Sequence, residues 1–336
     1  MRKFSFCIDH GDTDKPQRFH TVPTPRTGGI GIFIAFAAGL ALACGASSFT
    51  KSMLVVASAL PAYISGFYDD VKSDISPGVR LSIMGAGAVI AMVYLDVILY
   101  DVSLFRLNIM AAVPFTLFAV IGMANAINII DGFNGLAGGV SLIGFSFFAL
   151  ASNAHNDQFI LALSLTAIAS IAGFMVWNFP KGRIFLGDGG AYFIGFLFAV
   201  ASVLLVRNNP GISPWYPIVV LAYPVFEVCF SIYRKKFKRG GSPFKPDRVH
   251  FHMLIHKRVS RNNPLTSLYL WTFTLVFNAI AFPFRANTPV LILIFLIFSL
   301  TYVYFYRGLV RFKKIRVSRF SGAKSKDELV RVRPDF

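Results

Sequence analysis

Between residues 28 and 306 the chain alternates long apolar runs with short polar breaks. A helix needs about 20 mostly apolar residues to cross a bilayer, with a working range of about 17–25. Ten runs approach that length: 28–46, 52–67, 79–98, 108–127, 135–152, 159–177, 190–206, 215–233, 267–284 and 289–306. The run 52–67 is the shortest of them. Pro61, Pro114 and Pro224 fall inside runs, which a helix packed among membrane helices tolerates better than a soluble one. No internal repeat is visible. The pattern predicts an all-α integral membrane protein: a polytopic bundle of about ten transmembrane helices over 28–306. A polar segment, 1–27, precedes it and a basic tail, 307–336, follows.

Composition sharpens this. Hydrophobic residues make up 55% of the chain and charged residues 15%, against roughly 45–50% and about 25% in soluble domains. That excess has nowhere to go in a soluble fold. The formal net charge of +17 would suit a nucleic-acid partner, but its placement argues against one. Ten crossings divide the breaks into two faces. The first holds the N-terminal segment, 68–78, 128–134, 178–189, 234–266 and the tail. With Arg80 at a helix start, this face carries 29 of the 33 Lys and Arg residues, leaving Lys51, Arg106, Arg207 and Arg285 for the other. Such asymmetry marks the cytoplasmic side, and the basic residues then face anionic lipid headgroups. No nucleic acid is expected as a partner. Residues 1–27 lack the apolar core of a signal peptide. Cys7, Cys44 and Cys229 lie too far apart in sequence to form a metal-type pair.

The polar motifs obey the same partition. In GFYDDVKSD, Asp69 and Asp70 follow directly on an apolar run. On a helix they would point about 100° apart, while Asp70 and Asp74 would share a face. In NAINIIDGFNG, Asn125, Asn128 and Asp131 recur every third residue along one helical stripe. Their structural use would be hydrogen bonding between helices; their functional use would be to hold a polar ligand such as a nucleoside. In FLGDGG, Asp188 precedes a helix whose free N–H groups and dipole favour an anion. Asp188 could equally be a plain N-cap. His250, His252 and His256 follow in VHFHMLIH; with Lys245 and Arg248 nearby they could grip a phosphate, or the segment could be a solvated basic loop. Zinc is disfavoured, since neither an HExxH glutamate nor a cysteine partner is present. Glu227 lies inside a run and reads as a bundle-stabilising acid within reach of Arg234. Converging carboxylates repel unless a cation sits between them, and Mg²⁺ suits one or two carboxylates plus phosphate. Four polar clusters on one face read as one composite site.

Together these motifs resemble the polyprenyl-phosphate N-acetylhexosamine-1-phosphate transferases of glycosyltransferase family 4. The carrying segments are TPRTGGIGI at 24–32, GFYDD through ISPGVRL at 66–81, NAINIIDGFNGLAGG at 125–139, NFPKGRIFLGDGGAYFIG at 178–195 and PDRVHFHM at 246–253. They cover most of residues 20–255, in family order. The resemblance implies transfer of N-acetylhexosamine 1-phosphate from a UDP-sugar to undecaprenyl phosphate, with release of UMP. It implies Mg²⁺, or Mn²⁺ in its place, and a bacterial plasma (inner) membrane enzyme whose active site faces the cytoplasm. It makes Asp69 and Asp70 the catalytic pair and Asp188 the metal ligand. Asn128, Asp131, Asn134 and Asn178 would line the nucleotide pocket, Phe185 would stack on uracil, and His250 and His252 would contact the pyrophosphate. Met253 stands where the family commonly has a further histidine. That favours a branch initiating a surface polysaccharide such as O-antigen over a phospho-N-acetylmuramoyl-pentapeptide transferase. A polytopic transporter is the rival of a different class; it calls for acids at mid-membrane and repeated halves. A homodimer is left open.

Overall fold

The structure is a computed structural model that describes residues 8–9, 23–72, 75–238 and 249–310. Asp74, Lys245, Arg248, most of segment 1–27 and the tail from 311 lie outside the described residues. A short antiparallel pair, β1 (Ile8–Asp9) and β2 (Thr24–Pro25), precedes the helices. These are α1 (Gly28–Ala43), α2 (Gly45–Lys72), α3 (Pro77–Leu95), α4 (Ile109–Ile130), α5 (Leu136–Ala154) and α6 (Gln158–Asn178). There follow α7 (Gly187–Asn208), α8 (Trp215–Val220), α9 (Ala222–Tyr233), α10 (Phe251–Ile255), α11 (Asn263–Ala281) and α12 (Thr288–Val310).

Polar residues at the breaks start the helices. Asn108 accepts from the Ala111 N–H at 3.0 Å, Asp157 from Ile160 at 3.1 Å and Asn262 from Leu265 at 3.1 Å, each meeting one donor of a first turn. Seven described helices are long and apolar enough to cross a membrane: α3 to α7, α11 with its 3₁₀ extension, and α12. The protein is an all-α, polytopic membrane protein. The other three predicted runs take different forms. Run 28–46 becomes the 16-residue α1. Run 52–67 is the middle of the 28-residue α2, which continues through Asp69 and Asp70. Run 215–233 breaks at Leu221 into α8 and α9.

The central helix is α7. It is buried along nearly its whole length and packs chiefly against α2, α4 and α1. The peripheral helices turn large apolar side chains outward, among them Leu42, Met110, Phe118, Val176 and Leu300. In water that surface would drive aggregation; lipid tails solvate it without penalty. Close approach of α2 to α7 rests on Gly66, where a Cβ would lie 2.4 Å from the Asp188 carbonyl.

Candidate active site

Because the helices alternate in direction, one end of the bundle gathers the C-termini of α2, α4 and α6 with the N-termini of α5, α7 and α11. Asp69 and Asp70, one residue apart near the end of α2, diverge as their helical positions require. Asp69 turns to α3, where Arg80 Nη1 donates to its Oδ2 at 2.9 Å. The Arg80 guanidinium also lies over the Tyr192 ring at 5.7 Å. Asp70 turns to α7: the Asp188 N–H donates to Oδ1 at 3.0 Å and the Gly189 N–H to Oδ2 at 3.1 Å. The anion favoured by the start of α7 is therefore supplied by the protein itself. Gly187 makes this possible. It has φ +77°, and a Cβ there would fall 2.6 Å from Asp70 Oδ2, a geometry that suits only glycine.

Asp188 occupies the first turn of α7 and makes no capping bond of its own. Asn128 Nδ2 donates to its Oδ1 at 2.8 Å, and its carboxylate lies within hydrogen-bond reach of Asp69. Asn128 thus joins α4 to α7, while Asn125, one turn earlier, bonds only to its own helix at Ile121 O, 2.8 Å. Asp131 ends α4. Burial first, then the charge of Asp188, pushes Asp131 up to about 7, with Arg26 pulling the other way and Asp70 adding to the push.

Arg26 carries no role in the sequence reading, yet its Nη1 stands 3.6 Å from Asp70 Oδ1. Backbone bonds hold it there. Phe185 N–H donates to Pro25 O at 2.8 Å, Gly28 N–H to Phe185 O at 2.9 Å and Gly29 N–H to Leu186 O at 2.9 Å. The PRTGG and FLGDGG segments are thereby laced together. The available signal was an arginine between the two structure-breaking pairs Thr-Pro and Gly-Gly.

Asn178 is spent on bracing: its Oδ1 accepts from Gly135 N–H, and its Nδ2 donates to Ile184 O at 2.7 Å. Asn134 Nδ2 donates to Pro180 O at 3.0 Å, and its backbone joins Asn263 and Ser267 of α11. Phe185 is half-buried beside this loop.

His250 and His252 belong to the segment that packs on the α4–α5 turn, where His252 meets Gly132 and Phe133. Their rings are parallel, 5.5 Å between centroids. His250 Nδ1 is 2.8 Å from Glu227 Oε1. His252 is fully buried, with Tyr223 Oη 3.3 Å from Nδ1 and Gly132 beside Nε2. Burial pushes its imidazole down to about 3, although Glu227 pulls it up, so His252 is neutral at pH 7. The expected reach of Glu227 to Arg234 is corrected. Glu227 takes His250 and Tyr302, while Arg234 Nη1 donates to Val249 O at 2.8 Å and Tyr306 Oη at 2.7 Å. Arg234 lies two turns beyond Glu227, where the Val249 carbonyl and the Tyr306 hydroxyl meet its guanidinium instead.

Chemically, the end of the bundle holds Asp69, Asp70, Asp131 and Asp188 against Arg26 and Arg80. Among the described residues no three acidic, histidine or cysteine side chains form a ready-made metal cage. The donor set fits instead a hard cation that takes one or two carboxylates and completes its shell with water and phosphate.

The family model described as glycosyl transferase family 4 matches residues 52–206. A Bacillus subtilis protein described as a probable undecaprenyl-phosphate N-acetylglucosaminyl 1-phosphate transferase is 34% identical over 284 residues, covering 82% of this chain and 78% of its own. An undecaprenyl-phosphate alpha-N-acetylglucosaminyl 1-phosphate transferase of Thermotoga maritima is 28% identical, covering 79% of each chain. Its Escherichia coli K12 namesake is 30% identical over 261 residues, covering 73% of this chain and 69% of its own. With a helical membrane bundle, four acids gathered at one end and relatives matched over most of their length, the chain belongs to glycosyl transferase family 4, the polyprenyl-phosphate N-acetylhexosamine-1-phosphate transferases.

Proposed function

We propose that the protein transfers N-acetylglucosamine 1-phosphate, or a close N-acetylhexosamine analogue, from its UDP-sugar to undecaprenyl phosphate. UMP leaves, and the polyprenyl-diphospho-sugar starts a lipid-linked surface polysaccharide. The observation that carries this reading is the meeting of Asp69 and Asp188 beside Arg26 and Arg80 at one end of an apolar bundle. The names of the relatives favour N-acetylglucosamine over the muramoyl-pentapeptide substrate. In this reading α1, α2 and the α8–α9 pair complete ten crossings, and the acidic end faces the cytoplasm of the inner membrane, where the UDP-sugar is.

Asp188 and Asp69 would hold Mg²⁺ or Mn²⁺, which when bound neutralises the pyrophosphate and the incoming phosphate. The attacking group is a phosphate monoester with a second pKa near 6, so it is already mostly dianionic at pH 7. The task is to bring two anions together. Asp69 keeps Oδ1 free of Arg80 and orients the lipid phosphate. Asp70 has both oxygens committed to α7, so it positions Asp188 rather than attacking. Arg26 offsets the acids and faces the phosphates. Asn134 and Phe185 border the nucleotide on the loop braced by Asn178. In this reading the polyprenyl chain enters an apolar cavity of about 460 Å³ between α4, α7, α8 and α9, lined by Phe118, Met123, Val203, Trp215, Val225 and Ile232. Attack is direct. A sugar-phosphoryl enzyme isolated without lipid would contradict that.

The test uses membranes containing the protein, radiolabelled UDP-N-acetylglucosamine and undecaprenyl phosphate. Label entering lipid with release of UMP, abolished by chelation, supports the reading. Absence of both with every UDP-N-acetyl sugar overturns it.

A further inference from the structure

Glu227 is a carboxylate with no exposed surface, set in α9 among Phe226, Phe230 and Tyr302. An ionised group so placed is retained only where donors meet it. Three elements supply them. His250 Nδ1 lies 2.8 Å from Oε1, and Tyr302 Oη donates to Oε2 at 2.7 Å from α12. The Phe251 N–H, first in α10, points between the two oxygens at 3.3 and 3.4 Å. This arrangement exceeds what bundle stability needs, since an apolar residue would pack there without desolvating a charge.

Its chemical consequence falls on His250. A carboxylate only accepts, so Nδ1 must carry a proton. Nε2 is then the ring atom left to meet a ligand. The His250 ring lies parallel to His252, whose Nε2 is buried without a hydrogen-bond partner and rests against Gly132, next to Asp131. The chain Glu227–His250–His252 thus runs from the membrane-embedded α9 to the turn that carries the acids.

We propose that Glu227 is a positioning residue: by accepting from Nδ1–H it fixes the orientation of His250 and turns Nε2 toward a phosphate oxygen of the UDP-sugar. In the ion-paired form Nε2–H donates to that oxygen. The inference rests on the transfer reaction proposed above. Tyr302 and the Phe251 N–H hold the carboxylate in turn.

The experiment is a double-mutant cycle on the full chain in nanodiscs, with kcat and KM measured for UDP-N-acetylglucosamine and for undecaprenyl phosphate. Glu227→Gln is expected to lower kcat about 10–100-fold, the range typical of losing a group that orients a functional histidine, with KM for the lipid unchanged. His250→Gln is expected to lose as much. The double variant is expected to be no worse than His250→Gln alone, because Glu227 acts through that ring. Losses that multiply in the double variant, or a Glu227→Gln enzyme with wild-type kcat, overturn the proposal. If Glu227→Gln does not accumulate in membranes, Tyr302→Phe takes its place. A several-fold fall in kcat that vanishes in the His250→Gln background supports the proposal, and an equal fall in both backgrounds overturns it. Failure of the transfer reaction itself reads differently: wild-type protein then forms no labelled lipid.

Discussion

At the end of the bundle away from the acids, Asp96 meets Arg207 at 2.6 Å, and Asp157 accepts from Asn208 at 2.9 Å and Asn209 at 3.0 Å. Asp96 and Asp157 have each found a partner from a neighbouring helix, and Asp101 accepts from the Ser103 N–H of its own loop at 2.6 Å. At the other end Asp70 and Asp188 lie close enough to repel, Asp131 feels both, and Arg26 is 3.6 Å away from the nearest of them. One end uses its polar groups to tie helices together. The other gathers, among the described residues, four acids against Arg26 and Arg80. Structural polar groups settle locally; the gathered acids are what the proposed cation would offset.

The largest expected effect separates the two ends. Asp188→Asn should reduce label transfer by about 10³-fold, the scale of losing one preorganised electrostatic group. Asp157→Asn should leave it within a few-fold of wild type. Equal losses would erase the distinction. Next comes Gly66→Ala. Its new Cβ meets the Asp188–Gly189 backbone at 2.4 Å, and overpacking of this kind costs about 1–3 kcal/mol. Thermal unfolding in detergent should show that fall, together with reduced transfer, because Asp188 moves with the backbone.

A pH effect of similar size belongs to His252. Its native value is about 3 against 6.5 in an unfolded chain. Below pH 6.5 the unfolded chain therefore takes up a proton that the fold refuses. This contribution is whole above pH 6.5 and lost as the pH falls toward 3. Lowering the pH from about 7 to about 5 should cost about 2 kcal/mol through this residue, and His252→Asn should remove that part of the acid sensitivity. The smallest effect is at the paired end: Asp96→Asn should change stability by less than about 1 kcal/mol, as for other half-exposed ion pairs.

Most of the fold was legible because apolar runs in a membrane protein are long and uniform. The predicted 159–177 and the observed Gln158–Asn178 differ by one residue at each end. Breaks in hydrophobicity misled where the helix itself continues. The α2 helix runs on through polar Asp69, Asp70 and Lys72, because its end packs on α7 rather than on lipid. Conversely, 215–233 is apolar apart from Glu227 and Ser231 yet breaks at Leu221, and hydropathy does not report backbone geometry. In the site, the convergence of Asp69, Asp188 and Asn128 followed from their common face. The division of labour within the Asp69–Asp70 pair did not, since it depends on which neighbouring helix each side chain meets. Arg26 and Glu227 were underread for the same reason. Their partners, Asp70 and His250, are distant in sequence and reach them only through packing.

The most direct measurement of the central claim is Mn²⁺ binding to the purified protein, followed by electron paramagnetic resonance. The account predicts a bound ion whose affinity falls at least tenfold in Asp188→Asn and is unchanged in Asp157→Asn and Asp96→Asn. Binding that is indifferent to Asp188, or equally weakened at both ends of the bundle, would contradict it.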